Sequence, residues 1–257
     1  MASGSALSGR VALVTGGSRG IGAAVARKLA AEDMRVVVVG RDRKALERLA
    51  ASIGATPIIA DVTAPGAAET ILAGAHATVG DVDVLVANAG IEASLKLADT
   101  TDAVWEQVMA TNVTAVFRMC RAVIPGMIKR KFGRVVVVAS NAGLSGYPYC
   151  SAYCASKHAV IGLVRAIAAE IALSPVTINA VCPGFVATAM SERAVERLSS
   201  KTGRTVAAAR EMLEKTSPQQ RLVEPQEVAH LIASLLPPEA RGVHGQAIAI
   251  DGGRTGG

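Results

Sequence analysis

The chain has 257 residues, 51% of them apolar but only 3% aromatic, and a formal charge of +6. A core of Val, Ile, Leu and Ala suits buried parallel strands under covering helices, and basic residues spread without interleaved aromatics exclude a nucleic-acid groove. No run reaches the ~18 uninterrupted apolar residues of a membrane span, and residues 1–9 (MASGSALSG) have neither the basic nor the apolar region of a signal peptide. Four cysteines (Cys120, Cys150, Cys154, Cys182) without a second Cys or His pair at ligand spacing predict free thiols, no metal, and a soluble cytoplasmic protein.

In chain order, residues 1–9 read as a flexible lead-in and residues 10–15 (RVALVT) as a buried strand. That strand runs directly into GGSRGIG and then into a helical pattern of Ile21, Val25 and Leu29. Glycines at 16, 20 and 22 let the backbone turn sharply and approach a pyrophosphate, and the helix start that follows offers free N–H groups and a positive dipole end. The spacing is Gly-x-x-x-Gly-x-Gly, one residue longer in its first gap than the common dinucleotide fingerprint.

A second strand over residues 35–39 (RVVVV) ends in Gly40-Arg41-Asp42-Arg43, where a dinucleotide-binding fold faces the adenosine ribose. The strand tip carries no carboxylate to repel a 2′-phosphate, and Arg41 with Arg19 from the glycine turn could bind one, which points to NADP(H) over NAD(H). The alternative is that these arginines are ordinary loop cations. The alternation then repeats: a helix over 45–53, a strand over 57–60 ending in Asp61-Val62, a helix over 66–79, and a strand over 82–87 ending in Asn88-Ala89-Gly90.

Thr101 and Asp102 are caps for the next helical region, and one long helix over 105–130 contains Asn112 in an apolar-periodic segment. A buried Asn there is either a satisfied core amide or a partner for a bound water near Lys157. A strand over 134–139 leads to Ser140. The stretch SNAGLSGYPYCSAYCASK then brings Tyr153 and Lys157, four residues apart at the start of a helix, onto one face. A neighbouring cation stabilises a phenolate and lowers its pKa from about 10. A strand over 176–181 exits through Cys182-Pro183-Gly184-Phe185-Val186-Ala187-Thr188. Residues 189–217 read as a charged helical lid, 226–236 as a helix, and 246–250 as a seventh strand. No internal repeat or linker divides the chain, so the expected fold is one doubly wound α/β Rossmann domain over 1–257. Its sheet would have seven strands, mostly parallel, with helices on both faces.

Together these residues resemble the classical short-chain dehydrogenase/reductase family from Val11 to Gly253. The resemblance implies a cofactor turn of Gly16, Ser18, Arg19, Gly20, Ile21 and Gly22, an adenine contact at Asp61-Val62, and a sheet-stabilising Asn88-Ala89-Gly90. It also implies a nicotinamide-side loop of Pro183, Gly184, Val186 and Thr188. The implied catalytic tetrad is Asn112 positioning a water, Ser140 orienting the substrate carbonyl, Tyr153 as general acid or base, and Lys157 holding the nicotinamide ribose while lowering the tyrosine pKa. Ala87 stands where the family more often has a second Asn.

The branch resembled contains 3-oxoacyl thioester reductases, polyketide ketoreductases and hydroxyacyl-CoA dehydrogenases. The implied reaction is NADPH-dependent reduction of a ketone, most readily a 3-oxoacyl thioester on coenzyme A or a carrier protein, in a pocket lined by Leu144, Tyr147, Tyr149 and apolar lid residues. Lys129, Arg130 and Lys131 could meet an acidic carrier protein, but Leu173-Ser174-Pro175 puts no base where a second patch is expected. A carbonyl reductase acting on free cyclic or aryl ketones is the alternative, and a non-catalytic NADP(H)-sensing protein a remoter one. An epimerase or dehydratase would need a longer C-terminal region. The resemblance also implies a homotetramer or homodimer built on the helices at 105–130 and 153–173, with no membrane or nucleic-acid partner.

Overall fold

Alternate residues of the valine-rich strands go to opposite faces of one sheet, and each face needs its own cover. The computed structural model describes residues 6–256 and contains seven strands in the order β3-β2-β1-β4-β5-β6-β7. They are β1 (Val11–Thr15), β2 (Arg35–Gly40), β3 (Thr56–Ile59), β4 (Val84–Ala87), β5 (Gly133–Val138), β6 (Val176–Pro183) and β7 (Ala247–Ile250). All six pairings are parallel, so the expected "mostly parallel" sheet is wholly so.

Val11 and Leu13 of β1, with Val135 and Val137 of β5, enter the core covered by α3 (Ala67–Thr78), α5 (Ala115–Lys129) and α6 (Ser151–Glu170). Ala12, Val14, Val136 and Val138 enter the opposite core under α1 (Gly20–Ala30), α2 (Arg43–Ile53) and α9 (Pro225–Ser234). Leu7 is 1% exposed in that second core, and Gly9 N donates to Asp33 O at 2.9 Å. The expected flexible lead-in is therefore docked from Leu7 onward, because burying one large apolar side chain outweighs the freedom of a short segment. Residues 1–5 of that lead-in lie outside the described residues.

Local signals set the helix ends. Asp42 accepts from Ala45 N at 3.0 Å to start α2, which ends at Gly54 with φ +66°. Thr101 caps α4 (Asp102–Met109). The single helix expected over 105–130 is instead α4 and α5 joined by a π-helical turn, Ala110–Thr114. The widened turn is held by Asn112, whose bonds reach out of the helix, and such bulges concentrate at functional sites. The lid consists of α7 (Ala189–Thr202) and α8 (Val206–Glu214), packed together through Val195, Ala209 and Leu213.

Because the strands are parallel, their C-terminal tips share one edge. β1 lies between β2 and β4, so the chain leaves it toward opposite sides and opens a crevice at that edge.

Candidate active site

The crevice begins at the glycine turn. Gly16 and Gly20 have φ of +63° and +51°. A Cβ on Gly16 would stand 2.8 Å from Asn88 Nδ2, and one on Gly20 would stand 3.0 Å from Thr188 Cγ2. The turn is thus pressed against the tip of β4 on one side and the loop after β6 on the other. Gly22 has no room for a side chain against the carbonyl of Gly16. Asn88 donates to the carbonyls of Thr15 (2.9 Å) and Gly16 (3.1 Å). The Thr15 hydroxyl accepts from Asn88 N (3.0 Å) and Ala89 N (3.1 Å).

The N-cap of α1 is Arg19, whose side chain makes no capping bond, and the first turn holds no acid. Such an end suits an anion such as a pyrophosphate. Ile21 packs on the core behind the turn, and Val62 stands beside Thr15, Ala87 and Ala89. A Cβ on Gly40 would be 3.7 Å from Ser18 Oγ, so the tip of β2 leaves that hydroxyl accessible. Both arginines expected at the ribose phosphate already have acidic partners. Arg19 pairs with Asp42, and Arg41 lies 3.4 Å from Asp61. Asp61 also accepts from Thr63 N and Oγ1, bonds that hold its carboxyl below the usual range with help from Arg41. These residues fit a phosphate-bearing dinucleotide: a cradle without side chains, an open helix start, and two guanidiniums at the edge.

Deeper in the crevice, Asn112 Oδ1 accepts from Ile91 N and its Nδ2 donates to Ile91 O, both at 2.9 Å. The same nitrogen donates to Ser156 Oγ at 3.0 Å. Both amide protons are committed to protein, so the side chain clamps the Gly90-Ile91 backbone. Ser156 in turn donates to the carbonyl of Tyr153 at 2.7 Å. Gly90 allows the close approach, since a Cβ there would lie 3.3 Å from Asn112 Oδ1 and 3.7 Å from Lys157 Nζ.

Ser140, extended and buried at the tip of β5, accepts from Ala142 N at 3.1 Å and hydrogen-bonds the Tyr153 phenol. Lys157 Nζ donates to Val138 O at 3.0 Å and sits 5.7 Å from the centre of the Tyr153 ring. Burial pushes the Tyr153 phenol up to about 12, only partly opposed by Ser140, and pushes the Lys157 ammonium down to about 8. In the protein alone the direction of the Tyr153 shift is set by burial. Both groups are desolvated, and burial is the largest influence on each.

A cavity of about 900 Å³ joins these groups to the lid, lined by Ser140, Tyr147, Tyr149, Tyr153, Gly184, Phe185, Val186, Thr188 and Met190. Tyr147 and Tyr149 line it as expected; Leu144 does not, and its side chain is exposed. Pro183 closes β6 against Ile250, and a Cβ on Gly184 would be 2.9 Å from Asp251 Cβ. Sequence reasoning missed several wall residues. Arg197 of α7 pairs with Glu92 on the loop after β4, tying the lid to the opposite rim. Asp251 accepts from Asn141, Gly253, Arg254 and Thr255, and so folds the C-terminal segment into the wall. Asp251-Gly252-Gly253 after the last strand was a visible turn signal, but nothing in the sequence linked it to Asn141.

A family model described as short chain dehydrogenase matches residues 10–199. The chain is 33% identical over 249 residues to the 3-oxoacyl-acyl-carrier-protein reductase FabG of Haemophilus influenzae, covering 96% of this chain and 98% of that one. It is 35% identical over 253 residues to the D-beta-hydroxybutyrate dehydrogenase of Cupriavidus necator, with the same coverage. Among solved structures, an actinorhodin polyketide ketoreductase variant with NADPH superposes with a TM-score of 0.93 at 36% identity, over 98% of this chain and 99% of that one. The fold is thus shared along nearly the whole length, and the chain belongs to the short chain dehydrogenase family.

Proposed function

We propose that this protein reduces a ketone to a secondary alcohol with NADPH, and that its substrates are 3-oxoacyl thioesters or related β-keto compounds. The observation that carries the reading is that Ser140 and Tyr153 line one cavity, with Lys157 buried behind them 5.7 Å from the centre of the Tyr153 ring. The names of the relatives favour the substrate class: a 3-oxoacyl reductase, a hydroxybutyrate dehydrogenase and a polyketide ketoreductase.

Bound in the crevice, the nicotinamide cofactor would supply the hydride. The Gly16–Gly22 turn and the start of α1 would hold its pyrophosphate, Asp61 and Val62 the adenine side, Arg19 and Arg41 a 2′-phosphate, and Pro183, Gly184, Val186 and Thr188 the nicotinamide side. Tyr153, with its pKa held near 12, stays protonated and gives its proton to the alkoxide oxygen as that charge develops. Ser140 donates to the same oxygen and orients it. Lys157, still cationic below about pH 8, stabilises the tyrosinate left behind. Asn112 keeps Ile91 and the Tyr153 turn in register.

A coenzyme A thioester suits the surface better than a carrier protein. Of the basic cluster at 129–131, Arg130 is committed to Asp81 (3.3 Å) and to the carbonyl of Val82 (2.8 Å). α5 and α6 leave Phe117 and Leu163 beside a shallow apolar groove, the face on which copies of this chain would associate into a tetramer. The free cysteines suit a reducing cytoplasm.

The test is NADPH oxidation followed at 340 nm with acetoacetyl-CoA, a longer 3-oxoacyl-CoA and an aryl ketone. Turnover on the thioesters is expected. Tyr153→Phe should lower kcat by about a thousandfold or more while NADPH still binds, since the ring remains and the hydroxyl that gives the proton is lost. Retained turnover in that variant would sink the assignment.

A further inference from the structure

Tyr147 stands in the wall of the same cavity as Ser140 and Tyr153, on the loop between β5 and α6. Its ring is fixed on two sides. Phe185 meets it edge-on, with ring centres 6.4 Å apart and planes at 84°, and the guanidinium of Arg254 lies 4.5 Å from its centre. Its hydroxyl is fully buried yet has no hydrogen-bond partner. The Asn141 side chain approaches it and partly opposes the rise in pKa that burial causes, but its amide nitrogen donates to Asp251 Oδ2 at 3.3 Å and makes no full hydrogen bond to the phenol. A buried phenol is normally paired, because an unpaired donor loses its water and gains nothing in exchange.

Arg254 is in a similar position. Its Nη1 donates to Thr216 O at 2.9 Å, and no carboxylate among the described residues lies within salt-bridge distance. The backbone beneath it is fixed, since Asp251 accepts from the amides of Gly253, Arg254 and Thr255. The remaining guanidinium N–H groups are thus held at the cavity wall beside a phenol that is also without an acceptor. Burial keeps that phenol protonated, so it has a proton to donate.

We propose that Tyr147 and Arg254 form a second substrate anchor, donating to the distal carbonyl oxygen of a β-dicarbonyl substrate whose ketone lies at Ser140 and Tyr153. This rests on the reductase reading above and narrows it: the site selects ketones that carry a second carbonyl oxygen, as a 3-oxoacyl thioester does. Two donors without acceptors discriminate strongly against a ligand that lacks the matching oxygen, because that ligand leaves them desolvated and unpaired.

The experiment compares 3-oxohexanoyl-N-acetylcysteamine with its thioether analogue, in which the thioester carbonyl is a methylene, by NADPH oxidation. The wild-type ratio of kcat/KM for the two also reflects how the thioester polarises the ketone. The change in that ratio on mutation isolates the anchor. Tyr147→Phe, which keeps the ring contacts, should lower the thioester-to-thioether ratio about tenfold, mainly through KM for the thioester. Arg254→Gln should lower it in the same direction, and serves if the first variant folds poorly. A ratio unchanged in both variants, with the two substrates losing activity equally, would mean that these residues only pack the wall and would overturn the anchor. Wild-type enzyme silent on both ketones would instead defeat the reductase reading itself.

Discussion

The ammonium of Lys157 donates to the carbonyl of Val138 across 3.0 Å, two residues ahead of Ser140. That bond fastens the first turns of α6, which carry Tyr153, to the end of β5, which carries Ser140. It also places a cation in a desolvated position, and Lys157 is only 6% exposed.

Burial lowers the Lys157 pKa from its usual 10.5 to about 8. Below pH 8 the folded and unfolded chains both carry the proton, so the full cost of burying the charge, about 3 kcal/mol, weighs against folding. As pH rises from 8 to 10.5 the folded protein releases its proton first, and that cost disappears. Lys157→Met should therefore stabilise the protein at pH 7 by about 2 kcal/mol, after the loss of the bond to Val138. The advantage should vanish by about pH 10.5, and turnover should be abolished. Urea midpoints of both proteins at pH 7 and pH 10 check the sign; a variant less stable at pH 7 would contradict it.

In the wild-type enzyme the same titration should show in the kinetics. We expect kcat/KM for ketone reduction to be level below about pH 8 and to fall above it, as Lys157 loses its charge. Tyr153, held near 12, should contribute no break in that range. A pH–rate profile from 6 to 10 decides this, and a rate that climbs through pH 9 would refute it.

Arg41 is exposed, and its contact with Asp61 at 3.4 Å contributes at most about 1 kcal/mol. A ribose 2′-phosphate would compete for the same guanidinium with a stronger charge-assisted bond. Arg41→Ala should raise KM for NADPH by about tenfold or more, leave KM for NADH near its original value, and leave the melting temperature unchanged. Equal losses with both cofactors would place Arg41 outside the phosphate site.

Asn112→Ala would leave the N–H and C=O of Ile91 unpaired and remove a donor to Ser156. A destabilisation of about 3 kcal/mol is expected, with reduced kcat because the π turn and the Tyr153 turn lose their common brace. Thermal melts and steady-state rates on the same preparation test both effects. Loss of activity at full stability would point to a direct part in proton transfer instead.

The two arginines show how far a linear reading reaches. Arg19 and Arg41 stand at the crevice as the strand-tip argument expects, but the acids that pair with them are Asp42 and Asp61, the latter twenty positions away in sequence and brought near by β2 pairing with β3. Asn112 is a similar case. Its apolar-periodic surroundings signal helix, and the π turn depends on partners at 91 and 156 that no local pattern reveals.

The sequence by itself determined the order of strands and helices, the glycine turn, the spacing of Ser140, Tyr153 and Lys157, and the helical lid. These follow from periodicity, capping and backbone permissiveness, which act over a few residues. Only the tertiary structure decided the direction of the Tyr153 and Lys157 pKa values, the closure of the lid onto Glu92, and the placing of Arg254 beside Tyr147. Desolvation and pairing of this kind depend on which distant segments meet, and that is set when the sheet and its two cores assemble.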